Sequence, residues 1–316
     1  MVFHKSSLVL ASACAALVLS ACAGGTSPGA ATGSAMPLVT AGQSAPRAAI
    51  PRAKNEKFLY VSDYTSSIVL IYRQGATGSG PIGEIVDGIS SPQGIAVDAS
   101  GTLYVANEGN NTVTEYPAAS SSPSVTLSTG ISRPLDVSVD PNGVVYVTEG
   151  SAGKILEFKP GSTSPDATVS LAHPSDATNS KTDHVYVTYN AASAGHVTRC
   201  KALSTQCTDL GISVGLAQGI AIDLKGNLLV GDVYGEIINI YAPHKKTPFR
   251  TIAVKDEQPS KLALDTTDKT LYMADPANFA VRLIDYASGN QLSSFTYGPA
   301  DELEGVALFP GQKPGR

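Results

Sequence analysis

The sequence has no tryptophan, three methionines and four cysteines in 316 residues, and only 16% of its positions are charged. It lacks any dense block of lysine or arginine and carries a formal net charge of -5. That excludes a nucleic-acid backbone as partner, because binding one requires clustered positive charge. No apolar run reaches the ~20 residues that a membrane-spanning helix needs. There is no Gly-rich phosphate loop, and no Ser-His-Asp set that the repeats described below would bring together. What the chain does have is turn chemistry: 30 glycines and 20 prolines alongside 42% hydrophobic residues. This is enough apolar material for one large buried core, cut by turns into short elements instead of long helices. An all-β architecture is the expectation.

At the N-terminus Lys5 precedes an apolar run from Leu8 to Leu19, which reads as an export signal. The run ends in Leu19-Ser20-Ala21-Cys22, which resembles the lipobox of bacterial lipoproteins. The resemblance implies cleavage before Cys22 and a diacylglycerol on its thiol; an ordinary secretory peptide with Cys22 incidental is the alternative. Residues 1–21 are thus expected to be a lipoprotein signal peptide, with Cys14 discarded inside it. Residues 22–54 are rich in Gly, Ala, Ser, Thr and Pro without sustained periodicity and read as lipidated cysteine plus flexible linker. Ala23 stands where some bacteria place an aspartate for inner-membrane retention. The expected location is therefore the cell envelope, lipid-anchored to the outer membrane or facing the periplasm.

From residue 55 to 316 the chain repeats. The element Leu-Tyr-Val and its variants begin at Leu59, Leu103, Val145, Val185, Leu228 and Leu271, a period of 40 to 44 residues. That matches a four-stranded propeller blade. Five of these elements follow an apolar-small-apolar-Asp segment or a relic of it, and a sixth copy, Gly305 to Phe309, stands alone at the C-terminus. The chain thus begins on a second strand and finishes on a first strand. A six-bladed β-propeller with four-stranded blades is expected, its ring closed by pairing the C-terminal strand with the N-terminal strands, which removes two open sheet edges. Asp98, Asp140 and Asp223 each precede a glycine by three residues, which is hairpin chemistry and not a metal ladder.

The stretch from Pro92 to Tyr116 also resembles the NHL repeat. The resemblance spans roughly residues 58 to 310 and is strongest in the second blade. It is weakest from His173 to Val187, where the first strand has lost its apolar positions. Propellers of this kind bind ligands where the inner strands begin, and Gln93, Asp136, Asp176, Gln218, Lys261 and Glu304 are placed at that mouth, with His173 beside them. Such a polar ring suits a sugar-like ligand or a hard cation, while a solvated mouth is polar in any case.

Two enzyme families of this fold provide a residue-level comparison. Gluconolactonase-like propellers hold a divalent cation through a mouth glutamate, an asparagine and an aspartate. Here Glu304 with Asp136 or Asp176 could serve, with calcium or another divalent cation as cofactor, but the glutamate's usual Gly-Pro context and the asparagine are missing. Streptogramin-lyase-like propellers use a histidine base with a metal, for which His173 is the candidate. His184, His196 and His244 fall near strand ends or outer loops. The primary expectation is a ligand-binding or protein-interaction scaffold, monomeric and without cofactor; a metal-dependent lactonase or lyase is the alternative. Cys200 and Cys207 flank one turn and are expected to form a disulfide in an oxidising compartment.

Overall fold

The first repeat explains why a ring forms. In Phe58–Asp63 (β1) every residue is buried, and the side chains divide by parity. Phe58 and Tyr60 pack with Ile95, Leu103 and Val105 of the following repeat, while Leu59 and Val61 pack with Tyr272, Val281 and Leu283 of the last. Successive side chains of a strand point to opposite faces of its sheet. A strand that is apolar at consecutive positions therefore needs a neighbouring sheet on each side.

The structure, a computed structural model, describes residues 56–75, 79–298 and 301–311. The expected signal peptide (residues 1–21), Cys22 and the expected linker lie outside the described residues. Within them are six four-stranded antiparallel sheets. Blade one contains β1, β2 (Ile68–Arg73) and β3 (Gly83–Ile85); blade two contains β4 (Pro92–Val97), β5 (Leu103–Asn107), β6 (Thr112–Tyr116) and β7 (Val125–Leu127). Blade three runs from β8 (Asp136–Val139) through β9 (Val145–Glu149) and β10 (Lys154–Phe158) to β11 (Ala167–Ser170). Blade four has β12 (Pro174–Asn179), β13 (His184–Ala191), β14 (Ala194–Lys201) and β15 (Cys207–Val214). Blade five has β16 (Ala217–Ile222), β17 (Leu228–Asp232), β18 (Ile237–Tyr241) and β19 (Arg250–Ala253). Blade six has β20 (Lys261–Leu264), β21 (Thr270–Asp275), β22 (Ala280–Asp285) and β23 (Gln291–Phe295).

The last strand, β24 (Leu303–Phe309), joins blade one, pairing antiparallel with β1 from Phe58↔Phe309 to Val61↔Val306. The first strands β24, β4, β8, β12, β16 and β20 contact one another in a closed circle. Six hydrophobic clusters fill the six junctions between blades. The fold is thus an all-β six-bladed propeller with its ring closed by the two chain ends, as the offset of the repeats leads one to expect.

Two recurrent polar devices fix the blades. On the lower face, Asp98, Asp140 and Asp223 each accept two backbone N–H bonds within their turns, from Ser100 and Thr102, Asn142 and Val144, and Lys225 and Asn227, at 2.8–2.9 Å. The glycines that follow sit at φ 81–89°, the left-handed region that glycine enters without a Cβ penalty. On the upper face, the acidic or amide residue at the end of a second strand binds the loop that leads to an inner strand. Asn107 accepts from Ser90, Glu149 from Ser132, Asp232 from Gly215 and Leu216, and Asp275 from Gln258, at 2.8–3.1 Å. Burying such a carboxylate is tolerable because it is hydrogen-bonded.

Blade four forms despite its weakened pattern. Cys200 and Cys207 face each other across β14 and β15 and are joined as a disulfide. The fourth strand of blade five begins only at Arg250, which leaves Phe249 exposed on the rim.

Candidate functional site

The upper face is the one on which every inner strand begins. Aligning the copies on their turns shows that the expected polar ring is two rings stacked along the axis. The outer layer consists of Gln93, Leu135, Ser175, Gln218, Ser260 and Glu304, which with Gln258 and Lys261 line a cleft of about 210 Å³. The layer below, one residue further along each strand, reads Gly305, Gly94, Asp136, Asp176, Gly219 and Lys261 from blade one to blade six. Gln93, Gln218 and Glu304 therefore belong to one layer, and Asp136, Asp176 and Lys261 to the next.

The glycines of the inner layer sit where a side chain would collide with its neighbours, Gly94 against a charge and Gly305 against backbone. A Cβ at Gly94 would lie 2.0 Å from Asp136 Oδ1, and one at Gly305 would lie 2.5 Å from the Gln93 carbonyl. Lys261, flanked by Gly219 and Gly305 in the ring, crosses the axis to the opposite blades. Its Nζ lies 3.2 Å from Asp136 Oδ1 and 3.1 Å from Asp176 Oδ1, and it donates to the Ser175 carbonyl at 3.3 Å. The carboxylates use their other oxygens on the next blade: Ala177 N–H donates to Asp136 Oδ2 at 3.1 Å and Ile220 N–H to Asp176 Oδ2 at 2.8 Å.

All three side chains are buried. Burial raises the Asp136 pKa well above the ordinary carboxylate range, with Lys261 pulling it down and Asp176 pushing it up. For Lys261 burial opposes the charge, but the two carboxylates outweigh it and hold the ammonium above the usual lysine value. The centre of the ring is thus tied by a cation the protein itself supplies, which joins blades three, four and six.

Glu304 stands above this layer, half-buried and without an ion-pair partner among the described residues. Its pKa rises to about 7, chiefly by burial and then by the nearby Glu302 and Glu108, against the pull of Lys261. Gln93 donates to Glu108 at 3.1 Å, and Glu108 is paired with Arg133. Gln258 donates to Gln218 at 2.8 Å. The mouth is therefore an amide-lined cleft with a carboxyl group, Glu304, that pairs with no cation among the described residues. His173 lies on the exposed loop before β12.

As ligands for a divalent cation, Glu304, Asp136 and Asp176 do not fit. The Lys261 ammonium occupies the position between the two aspartates, Glu304 belongs to the layer above, and among the described residues no three His, Cys, Asp or Glu side chains are grouped as a metal would require. Repeat spacing does not reveal that a lysine in blade six reaches across to aspartates in blades three and four. An alignment of the six copies does carry the signal, because it places these charges in a column otherwise filled by glycine.

Around the cleft, the turns between second and third strands present Tyr234, the most exposed aromatic ring among the described residues, at 74%. On the neighbouring turn Phe279 is 40% exposed and adopts φ 54°. The loop between β19 and β20 ties these turns together: Asp256 N–H donates to Glu236 at 3.2 Å, and Asn278 donates to the Asp256 carbonyl at 2.8 Å. At the position just before the third strand, Ser67, Asn111, Gly153 and Glu236 share the left-handed backbone of Phe279. Phenylalanine is the bulkiest of the five and is disfavoured in that conformation.

Residues 90–116, most of blade two, match the family model of the NHL repeat. No curated protein matches the chain by sequence. Among solved structures it is similar to a chain of a nidogen/laminin complex, with a TM-score of 0.66 at 15% identity over 80% of this chain and 98% of that one. It is also similar to hydrazine synthase of Kuenenia stuttgartiensis, with a TM-score of 0.56 at 14% identity over 79% of this chain and 86% of that one. At such identities the likeness concerns the fold. By repeat and by architecture, the described chain is a six-bladed β-propeller with an NHL repeat in its second blade.

Proposed function

We propose that the chain is an exported, monomeric, lipid-anchored propeller of the cell envelope that binds a partner protein through its upper face. The observation that carries this reading is the bridged pair of turns bearing Tyr234 and Phe279. Exposed aromatic rings are the side chains that most often anchor protein interfaces, because they bury large area at small entropic cost. A left-handed phenylalanine costs the fold about 1–2 kcal/mol, and the serine, asparagine, glycine and glutamate at matching turns show that the architecture needs the left-handed backbone there but not a phenylalanine. Strain kept at an exposed position is a pointer to function. The similar chain of the nidogen/laminin complex belongs to an assembly of two proteins, which supports the same direction. On this reading the amide-lined cleft receives a polar side chain of the partner, and the salt-bridged layer beneath it serves as a rigid floor.

Phe279→Asn tests the reading by separating stability from binding. Asparagine tolerates the left-handed backbone, so the variant is expected to melt about 2–4 °C higher and to retain its envelope partner at least tenfold less tightly. Unchanged retention of the partner would remove Phe279 as an anchor. For the membrane attachment, Cys22→Ser is expected to abolish incorporation of labelled lipid and release the protein from membranes, and equal partitioning of variant and parent would contradict the anchor.

A further inference from the structure

We propose that a pocket between blades four and five, on the lower face, binds a small organic carboxylate with Arg199 as its anchor. The pocket has a volume of about 370 Å³, a size that suits a small ligand. One wall is blade four, where Tyr186, Arg199 and Thr208 stand in register across β13, β14 and β15 and so share a face of the sheet. The opposite wall is blade five, from Leu228 at the start of β17 to Pro243 and His244 in the turn after β18.

The preceding junction shows which chemistry this place in the fold accepts. Where blade four has Arg199 paired with Tyr186, the other blades have Ile71, Glu115, Glu157, Ile240 and Leu283. In blade three, the Glu157 carboxylate accepts the backbone N–H of Leu203, in the turn between the third and fourth strands of blade four. Beside it Tyr146 donates to the hairpin Asp140 at 3.3 Å. One junction further on, both acceptors are gone. Arg199 replaces the glutamate and Ser180 replaces the hairpin aspartate, while His244 keeps the left-handed backbone of its counterpart Leu203. Residues lining the pocket thus carry donors that meet no acceptor among the described residues: the Arg199 guanidinium, the Tyr186 hydroxyl and the His244 N–H.

Elsewhere the chain satisfies its guanidinium groups. Arg73, Arg133 and Arg282 pair with carboxylates, and Arg250 donates to the Tyr286 and Ala287 carbonyls. Arg199 is half-buried at the pocket without such a partner, and a guanidinium fork matches a carboxylate through two parallel hydrogen bonds. Asp209 also borders the pocket, but it pairs with Thr198 in register and so belongs to the other face of the sheet. There it accepts from the Tyr189 hydroxyl at 3.0 Å and from Gly211 N–H at 2.6 Å. Lys245 adds positive charge at the exposed rim, and Leu210, Leu228 and Pro243 supply hydrocarbon. The ligand that fits is a carboxylate on a compact apolar body, its charge standing where blade three places its own glutamate.

The test uses benzoate as probe, with benzamide as a guest of similar shape and no charge. In solution, ligand-observed NMR should give saturable benzoate binding that weakens at least tenfold in Arg199→Met, as loss of a charge-assisted pair requires, while benzamide binds parent and variant alike. Crystals of the protein soaked in benzoate are expected to show the carboxylate within hydrogen-bond distance of Arg199. Thr208→Trp, which puts a large ring on the same face, should block both guests. Because Thr208 is exposed on the edge strand β15, that variant keeps the test valid if Arg199→Met fails to fold. Benzoate that does not saturate in solution, or whose binding is unchanged by either substitution, would overturn the proposal.

Discussion

Deleting the chain from Leu303 onward should leave no folded domain. The segment is short, but it is the inner strand of blade one, hydrogen-bonded to β1 over its length. Leu303, Val306 and Leu308 pack into the junction with blade six, and Ala307 packs into the junction with blade two. Losing a large aliphatic side chain from a packed core costs about 2–5 kcal/mol, and a whole domain is stable by only about 5–15 kcal/mol. Three such side chains, together with a reopened sheet edge, come to the full stability of the fold. The expected result is insoluble protein, or soluble protein without a cooperative melt. A truncated chain that melts within a few degrees of the parent would contradict ring closure by the two ends.

Lys261→Met should be the most damaging single substitution at the axis, and its effect should depend on pH. Removing one partner of a buried ion pair costs about 3–5 kcal/mol, because the other partner stays buried without compensation. Here two carboxylates would be left facing each other. A carboxyl group whose pKa is higher in the folded than in the unfolded state takes up a proton on folding, so stability falls as pH rises between the two values. Asp136 already lies in that direction in the parent, and loss of the ammonium pushes it further. Denaturant titrations should therefore show a larger loss of stability at pH 8 than at pH 5, and Asp136→Asn added to Lys261→Met should recover part of it. A cost that is equal at both pH values would show that packing, and not charge, is what Lys261 contributes.

Much of the fold was legible in the sequence because the forces that make it repeat with the chain. Leu59, Leu103, Val145 and their counterparts mark second strands buried on both faces, and only adjacent blades can supply both coverings. The hairpin aspartates announced their turns through the glycines that follow. The candidate site was legible in part. Gln93 and Asp136 were expected in one ring, yet they stand in successive layers, since a mouth position is fixed by its register to the turn and not by its polarity. The disulfide-bonded cysteines followed from the symmetry of their flanking segments. The contact of Lys261 with Asp136 and Asp176 did not, because it crosses the ring between repeats far apart in sequence. Tyr234 and Phe279 lie in turns that the repeat pattern leaves variable, so no periodicity marks them, and only their exposure and the backbone of Phe279 draw notice.

Site-specific photo-crosslinking in the intact envelope tests the binding face most directly. A photoreactive phenylalanine analogue placed at Tyr234, at Phe279, and at Leu224 in a lower-face turn samples both sides of the ring, and Leu224 is itself 41% exposed. Positions 234 and 279 should yield one and the same discrete adduct, and that partner, once purified, should bind the parent domain at least tenfold more tightly than Tyr234→Ala. Position 224 should yield none. The same adduct from position 224, or none from either upper-face position in protein that is folded and expressed at the parent level, would contradict an upper-face binding platform.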